Sequence, residues 1–104
     1  MTLNSPAVAE LMAEAGFDWL FIDAEHSTLD TSQMQSSLQA DAPTPCVIRL
    51  ASGDDGPTKK ALDIGAAGII VPQANSAAHA RRIVQCAKYA PVGQRGLGIA
   101  RAHR

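Results

Sequence analysis

The sequence predicts a parallel α/β fold, and two alternating patterns carry that prediction. Three short apolar runs are typical of strands that are buried on both faces, as in a parallel sheet. They cover residues 19–23, 46–50 and 68–72. Segments with apolar residues at helical spacing lie before, between and after these runs, which is the order of successive (β/α) units.

Each helix has a recognisable start or end. The first begins with Ser5 as a cap and Pro6 in the first turn, and Gly16 ends it. Its apolar stripe is Val8, Leu11, Met12 and Ala15. The second helix covers residues 31–40, where Asp30 and Gln33 fit a capping box; the third runs from Pro57 to Gly65, and the fourth follows a Ser76 cap and reaches Ala87.

The length of the chain limits the architecture. A complete (β/α)8 barrel needs ~250 residues, whereas this chain has 104. Residues 1–104 therefore form a single α/β domain of three to four β/α units. Two arrangements remain open at this point: a small open parallel sheet, or part of a TIM barrel.

Composition excludes several classes of function. A net charge of -1 and an aromatic content of 4% argue against nucleic acid as a partner. No apolar run approaches the ~20 residues needed to cross a bilayer, and residues 1–6 do not resemble a signal peptide. Cys46 and Cys86 are predicted to be buried free thiols, with a disulfide between them as the weaker alternative. We therefore expect a soluble cytoplasmic protein without a membrane or nucleic-acid partner.

Ionisable residues follow the first and second predicted strands. Asp23, Glu25 and His26 end the first, and Arg49 lies near the end of the second. Because the carboxyl ends of parallel strands meet at one edge of a sheet, these side chains are expected to converge. A histidine beside a carboxylate suits acid–base catalysis, and a guanidinium suits a carboxylate or an enolate.

Each of these residues also has a structural interpretation. Asp23 or Glu25 would then simply pair with Arg49, and His26 would cap the second helix or face solvent. Asp63 reads, from the residues alone, as a solvated position on the third helix. A long charged side chain in an apolar run needs a partner, so the functional interpretation of Arg49 is favoured.

Other polar groups are weaker candidates for a functional site. The loop from Gly93 to Gly98 resembles an anion-binding loop, but it follows a helix and no helix begins after it. A dinucleotide-binding fingerprint follows a strand and begins a helix, so that interpretation is rejected. The basic residues of the third and fourth helices are expected to form solvated faces; they are Lys59, Lys60, His79, Arg81 and Arg82. Nothing in the spacing suggests a zinc site or a nucleophile elbow.

Several blocks together resemble one enzyme family, the HpcH/HpaI aldolases, which are metal-dependent class II pyruvate aldolases. The resemblance begins at Gly16-Phe17-Asp18-Trp19 and Ile22-Asp23-Ala24-Glu25-His26. It continues through residues 47–49, 59–65, 68–72, 87–91, 93–98 and 100–102, in the expected order and spacing. The chain thus resembles the amino-terminal half of such an enzyme.

The resemblance implies a fold, a reaction and three roles. The fold would be a (β/α)8 barrel, and the reaction would cleave 4-hydroxy-2-oxo acids to pyruvate and an aldehyde. His26 matches the family's acid–base histidine, Arg49 its transition-state-stabilising arginine, and Asp63 an aspartate that raises the basicity of the histidine. A divalent metal ion, Mg²⁺ or Mn²⁺, would stabilise the enolate.

The chain also departs from the family's pattern. The family's metal-binding Glu and Asp come from later strands, so no protein ligands for the metal are expected in residues 1–104. Two hypotheses follow: an aldehyde-lyase acting on a small 2-oxo acid, or a catalytically inactive half-barrel that associates with another chain. If folded, the chain is expected to be a homo-oligomer, since an open sheet of this size leaves its edges uncovered.

Overall fold

Helices and strands alternate along the chain in a computed structural model that describes residues 1–2, 4–98 and 101–102. The order predicted from the sequence is confirmed. The elements are α1 (Pro6–Glu14), β1 (Leu20–Asp23), α2 (Thr31–Ala40), β2 (Cys46–Arg49), α3 (Asp55–Asp63), β3 (Gly68–Ile70) and α4 (Ala77–Ala87). The caps at Ser5, Ser76 and Asp30 form as predicted, including the capping box between Asp30 and Gln33.

The three strands form one parallel sheet in the order β1-β2-β3. Asp23 stands opposite Arg49, and Arg49 stands opposite Ile70, so the carboxyl ends of all three strands are level. Met1 pairs with the outer side of β1: its amino group donates to the Phe21 carbonyl, and its carbonyl accepts from the Asp23 N–H at 2.9 Å. The first residue therefore extends the sheet at the β1 edge.

The core lies between one face of the sheet and the helices. Alternate strand residues supply it, because successive side chains of a strand point to opposite faces. Its buried members are Leu20, Ile22, Leu38, Cys46, Ile48, Leu50, Ala61 and Ile64.

The other face of the sheet, here called the concave face, is partly exposed over the described residues. It carries Phe21 and Val47 at intermediate burial, Trp19 just before β1, and Ile70, which is 41% exposed. The prediction that the strands are buried on both faces is therefore wrong for this chain, because the helices that pack on the sheet cover only one side.

Helix α1 buries a different stripe from the predicted one. Ala9 is fully buried and Met12 and Ala13 pack against the core, whereas Leu11 is 66% exposed. Apolar residues occur on more than one side of this helix, so two stripes at helical spacing were available and the sequence pattern did not choose between them.

Several element boundaries also differ from prediction, most clearly in α3 and β3. Helix α3 begins at Asp55 rather than Pro57, which the first turn tolerates because the missing N–H of proline has no partner there. Strand β3 ends at Ile70, two residues before the predicted end at Pro72. In the described part of the chain, no helix is long and apolar enough to cross a membrane.

Candidate active site

The level ends of β1 and β2 bring Asp23 and Arg49 together. The guanidinium binds the carboxylate in a bidentate way: Nε donates to Oδ1 at 3.1 Å and Nη2 donates to Oδ2 at 2.6 Å. The Asp23 side chain is only 7% exposed, whereas that of Arg49 is 29% exposed. The carboxylate is thus enclosed, and the cation retains an open side.

The turn after β1 fixes the Asp23 carboxylate from behind. Its Oδ1 accepts from the backbone N–H groups of Glu25 at 3.0 Å and His26 at 3.1 Å. The Ser27 hydroxyl donates to the Asp23 carbonyl, and the Ala24 N–H donates to the Arg49 carbonyl at 2.9 Å. These bonds hold the acidic turn against the end of β2.

Glu25 links the arginine to the histidine. Its Oε2 lies 3.3 Å from Arg49 Nε and 3.7 Å from His26 Nε2. The His26 side chain is 72% exposed, so its ring is reachable from solvent. The predicted convergence of Asp23, Glu25, His26 and Arg49 is present in the structure, and so is the simpler Asp23–Arg49 ion pair.

The electrostatics of the pair follow from these contacts. The hydrogen bonds from Arg49 hold the pKa of Asp23 far below its usual range, although burial alone would raise it; the two backbone N–H donors add to the lowering. The same pairing raises the pKa of Arg49. Asp23 is therefore a fixed anion that positions a permanent cation, and it has no proton to exchange near neutral pH.

One end of the Arg49 guanidinium remains available. Nε and Nη2 are directed at carboxylates, whereas no described residue accepts a hydrogen bond from Nη1. The guanidinium carbon lies 5.8 Å from the centroid of the Phe21 ring on the concave face. An anion approaching from this face would meet N–H donors that are already oriented.

Asp63 lies elsewhere. It is the last residue of α3, and this helix runs back from the carboxyl ends of the strands toward their amino ends. Four residues later, the Ala67 N–H donates to the carbonyl of Cys46, the first residue of β2. The structure thus brings His26 and Arg49 to one end of the sheet and Asp63 to the other, and it does not join the three within one chain.

The partner of Asp63 is Arg95, a contact that sequence reasoning missed. Arg95 Nη2 donates to Asp63 Oδ1 at 2.7 Å, and its guanidinium stacks 4.6 Å from the Tyr89 ring centroid. The Arg101 N–H also donates to the Asp63 carbonyl. A side chain at Gly98 would meet the Asp63 carboxylate at 3.2 Å, so glycine there makes room for the pair.

This pairing accounts for the glycine-rich loop, in which the N–H groups of Gly93, Gln94 and Arg95 donate to backbone carbonyls of α4 and the turn after it. A Cβ at Gly93 would lie 2.2 Å from the Lys88 carbonyl oxygen, closer than any side chain allows. The loop therefore folds back on the end of α4 and delivers Arg95 to Asp63. The signal in the sequence was the compact Gly-x-Arg-Gly spacing, but nothing in it identified the acidic partner.

The remaining sequence predictions have mixed outcomes. Cys46 and Cys86 are buried and free, as predicted. Arg82 is not only solvated: its Nε donates to Asp55 at 3.2 Å. Ile99, Ala100, His103 and Arg104 lie outside the described residues.

The described residues do not suit the predicted divalent metal ion. No group of three or more His, Cys, Asp or Glu among them is arranged to hold one. Both oxygens of Asp23 are engaged by Arg49 and the backbone, and Glu25 Oε2 lies between a guanidinium and an imidazole. The described carboxylates are therefore not grouped in a way that could hold a metal ion.

Known proteins resemble this chain over nearly its whole length. The profile of the HpcH/HpaI aldolase/citrate lyase family matches residues 1–102. The chain is 47% identical to a hydroxypyruvate/pyruvate aldolase from Pseudomonas aeruginosa, over 98% of the chain and 40% of that protein. It is 43% identical to a 2-keto-3-deoxy-L-rhamnonate aldolase from Salmonella gallinarum, over 93% of the chain and 38% of that protein.

A solved structure gives the same result for the fold. The chain superposes on an HpcH/HpaI aldolase/citrate lyase family protein from Burkholderia cenocepacia J2315 with a TM-score of 0.90 and 33% identity. The match covers 98% of this chain and 43% of that one. The three β/α units thus match part of a (β/α)8 barrel, and the chain spans about two fifths of the length of the curated relatives it matches. The chain belongs to the HpcH/HpaI aldolase/citrate lyase family.

Proposed function

We propose that this chain carries the acid–base and anion-stabilising part of an aldolase site that cleaves 4-hydroxy-2-oxo acids to pyruvate and an aldehyde. The observation that carries the proposal is the Arg49 guanidinium, fixed by Asp23 and Glu25 with its Nη1 end open, next to an exposed His26. Family membership and the names of the aldolase relatives support the same reaction class.

His26 is the proposed acid–base group. It would take the proton from the C4 hydroxyl as the C3–C4 bond breaks, and the electron pair of that bond would pass to the pyruvyl part as an enolate. The aldehyde leaves with the former hydroxyl oxygen as its carbonyl. Protonation of the enolate at C3 then gives pyruvate, and atoms and charge balance.

Arg49 is the proposed stabiliser of the negative charge that develops in this step. Its position is fixed before substrate arrives, because Asp23 and Glu25 already occupy Nε and Nη2. Donors held in advance need no reorganisation in the transition state, and removing one donor of this kind typically costs 10²–10³ in rate.

The test is pyruvate release from a 4-hydroxy-2-oxo acid by the purified chain. We expect release by the wild type and its loss in His26→Ala. Gln85→Ala, an exposed change on α4, is the matched control and should release pyruvate like the wild type. Absence of release from the wild-type chain under these conditions would contradict the proposal.

We further propose that Asp63 acts on the histidine of a second copy, His26. The support is topological, because the two residues lie at opposite ends of the sheet in one chain. Mixing inactive His26→Ala chains with inactive Asp63→Asn chains should then restore measurable pyruvate release. If each variant is folded and the mixture releases no pyruvate, the proposal is wrong, and the role of Asp63 is then its structural pairing with Arg95.

A non-catalytic role is the second candidate, and the concave face favours it. Ile70 is 41% exposed and Trp19 is 56% exposed on this face. We propose that another polypeptide segment covers it, either a second copy or one supplying the remaining strands of a barrel. Light scattering of the purified chain tests self-association. A monomer at all concentrations would show that a second copy does not cover this face.

A further inference from the structure

A cavity of about 560 Å³ lies between helices α2 and α3. Helix α2 packs on α1 and α3 packs on α4, whereas α2 and α3 have no comparable contact with each other. Cavities that bind small molecules usually have volumes of about 300–1,000 Å³. The gap between the two helix pairs is therefore large enough to hold a small molecule.

The cavity lies on the opposite side of the sheet from the proposed aldolase site. Its floor includes Ala24 and Leu50, which continue the core-facing rows of β1 and β2 and contact the core. The Arg49 guanidinium, in contrast, lies near Phe21 on the concave face. A ligand in this cavity would thus not occupy the place of the aldolase substrate.

The walls of the cavity are mainly aliphatic. Leu29 and Met34 lie just before and within α2, and Pro57 and Ala61 lie on α3. Among the described residues, no aromatic side chain lines the cavity, so a planar ring would have nothing to stack on. The flexible thioether of methionine adapts to ligands of different shape. The lining therefore suits an aliphatic group.

Two opposite charges lie at the open side of this cavity. Asp30 and Lys60 both line it, and both are exposed. They form no ion pair with each other, and Lys60 pairs with no other carboxylate in the described part of the chain. Asp30 Oδ1 accepts from the Gln33 N–H at 2.8 Å, which fixes the carboxylate at the start of α2. A ligand with one positive and one negative group would meet a partner for each.

The first turn of α3 adds a donor on the side of Lys60. Gly56 lines the cavity, and no described residue accepts a hydrogen bond from its N–H. The Asp54 side chain makes no capping bond to this helix. Asp55, the acidic residue of the turn, is held by Arg82 at 3.2 Å. A carboxylate near Lys60 would therefore also meet a free backbone donor at the positive end of the helix dipole.

We propose that this cavity binds an aliphatic α-amino acid. Its side chain would lie among the aliphatic walls, its carboxylate would bind Lys60 and the Gly56 N–H, and its ammonium group would bind Asp30. A simple carboxylate would leave Asp30 as an uncompensated negative charge beside it. The inference does not depend on the proposed aldolase function, and it assigns a second ligand site to the chain.

The experiment is an NMR titration that follows the methionine methyl signals. Met34 lines the cavity, whereas Met1 and Met12 do not and serve as internal controls. The probes are L-leucine, 4-methylpentanoate, which lacks the ammonium group, and 3-methylbutylamine, which lacks the carboxylate. We expect leucine to shift the Met34 signal in a saturable way. Each analogue should bind about three- to fivefold more weakly, since ion pairs at an exposed site contribute modestly.

Two substitutions test the charges one at a time. Lys60→Met should remove the preference for leucine over 3-methylbutylamine. Asp30→Asn should remove the preference for leucine over 4-methylpentanoate, while asparagine still caps α2. Lys59→Met is the same change at the neighbouring position, which does not line the cavity, and it should keep both preferences.

Three results would overturn the proposal. The first is equal affinity for leucine and its two analogues, and the second is a preference that survives in the variant designed to remove it. The third is a Met34 signal that follows protein concentration and not leucine, which would show that a second copy fills the cavity. Spectral dispersion equal to that of the wild type shows that a variant is folded, and the comparison of probes on the wild type does not depend on it.

Discussion

Two aspartate–arginine pairs, one at each end of the sheet, have opposite exposure. At the carboxyl end, Asp23 is 7% exposed and its partner Arg49 is 29% exposed. At the amino end, Arg95 is 8% exposed and its partner Asp63 is 30% exposed. The first pair hides its anion and presents its cation, and the second hides its cation under Tyr89. An arginine that serves a substrate needs the first arrangement, whereas one that fastens a loop is suited to the second.

The largest expected effect separates the two arginines by activity. Arg49→Met should lower pyruvate release by about 10²–10³-fold, because the oriented N–H donors are lost. Arg95→Met should lower the activity per folded molecule by much less, since its guanidinium donates to Asp63 and does not lie at the carboxyl ends of the strands. Steady-state assays corrected for the folded fraction by circular dichroism measure this. Equal losses in the two variants would break the distinction.

The next effect separates the arginines by stability. Arg95→Met should lower the free energy of unfolding by about 2 kcal/mol, because it removes a largely buried ion pair and the stack on Tyr89. The value is reduced from that of a fully buried pair because Asp63 keeps contact with water. Urea denaturation measures it.

Arg81→Met is the control for this comparison. Arg81 is exposed on α4, so the change should stay within about 0.5 kcal/mol. A loss in Arg95→Met no larger than the one in Arg81→Met would mean that the Asp63–Arg95 contact does not fasten the loop.

The third effect concerns how stability changes in acid, and it compares two buried aspartates. The pKa of Asp23 is lowered from 3.8, so its contribution to stability is present above that value and is lost as pH falls below it. The pKa of Asp41 is raised from 3.8, mainly by burial. Its side chain is fully buried, and neither oxygen has a hydrogen-bond partner among the described residues. Its ionisation therefore removes stability as pH rises above 3.8.

Asp41→Asn tests the opposite contributions of Asp23 and Asp41 to stability as pH changes. At pH 7 it should be about 1 kcal/mol more stable than the wild type, because no buried carboxylate has to ionise. Between pH 7 and pH 3 its stability should fall more steeply, since the compensating gain from Asp41 is gone. Asp18→Asn, on an exposed residue, serves as control in the same urea titrations. Parallel pH profiles for Asp41→Asn and the wild type would refute this interpretation.

The smallest effect concerns thiol reactivity. Burial, with Asp41 nearby, raises the pKa of Cys46 to about 12; a hydrogen bond with Asp55 and burial also raise the pKa of Cys86. Both thiols should therefore react slowly with a disulfide reagent in the folded state and quickly in urea. Fast reaction of either thiol in the native protein would show that its surroundings open readily.

The carboxyl-end pair was predictable from the sequence, and the amino-end pair was not. Asp23 and Arg49 each follow an apolar run, and parallel topology places such residues side by side. Arg95 lies in a loop without periodicity, so its contact with Asp63 depends on how that loop folds back, which spacing does not encode. The resemblance assigned Asp63 a role on the histidine, but sequence order alone could not tell that α3 carries it to the far end of the sheet.

The buried face of a helix or strand was predictable only where its sequence had a single apolar stripe. Successive side chains of β1 and β2 point to opposite faces, but the continuous apolar runs do not say which face the helices cover. In α1, the stripe with Leu11 and the stripe with Ala9 both fit helical spacing, and contact with α2 decided in favour of the second. The tertiary arrangement, rather than local propensity, settled these cases.

The exposed indole on the concave face has a practical consequence. Trp19 is the sole tryptophan of the chain, and it is 56% exposed. Its fluorescence depends on contact with water, so the chain carries an intrinsic optical reporter for whatever covers that face. A shift of its emission to shorter wavelength on mixing with a candidate polypeptide would signal closure of the sheet without any label.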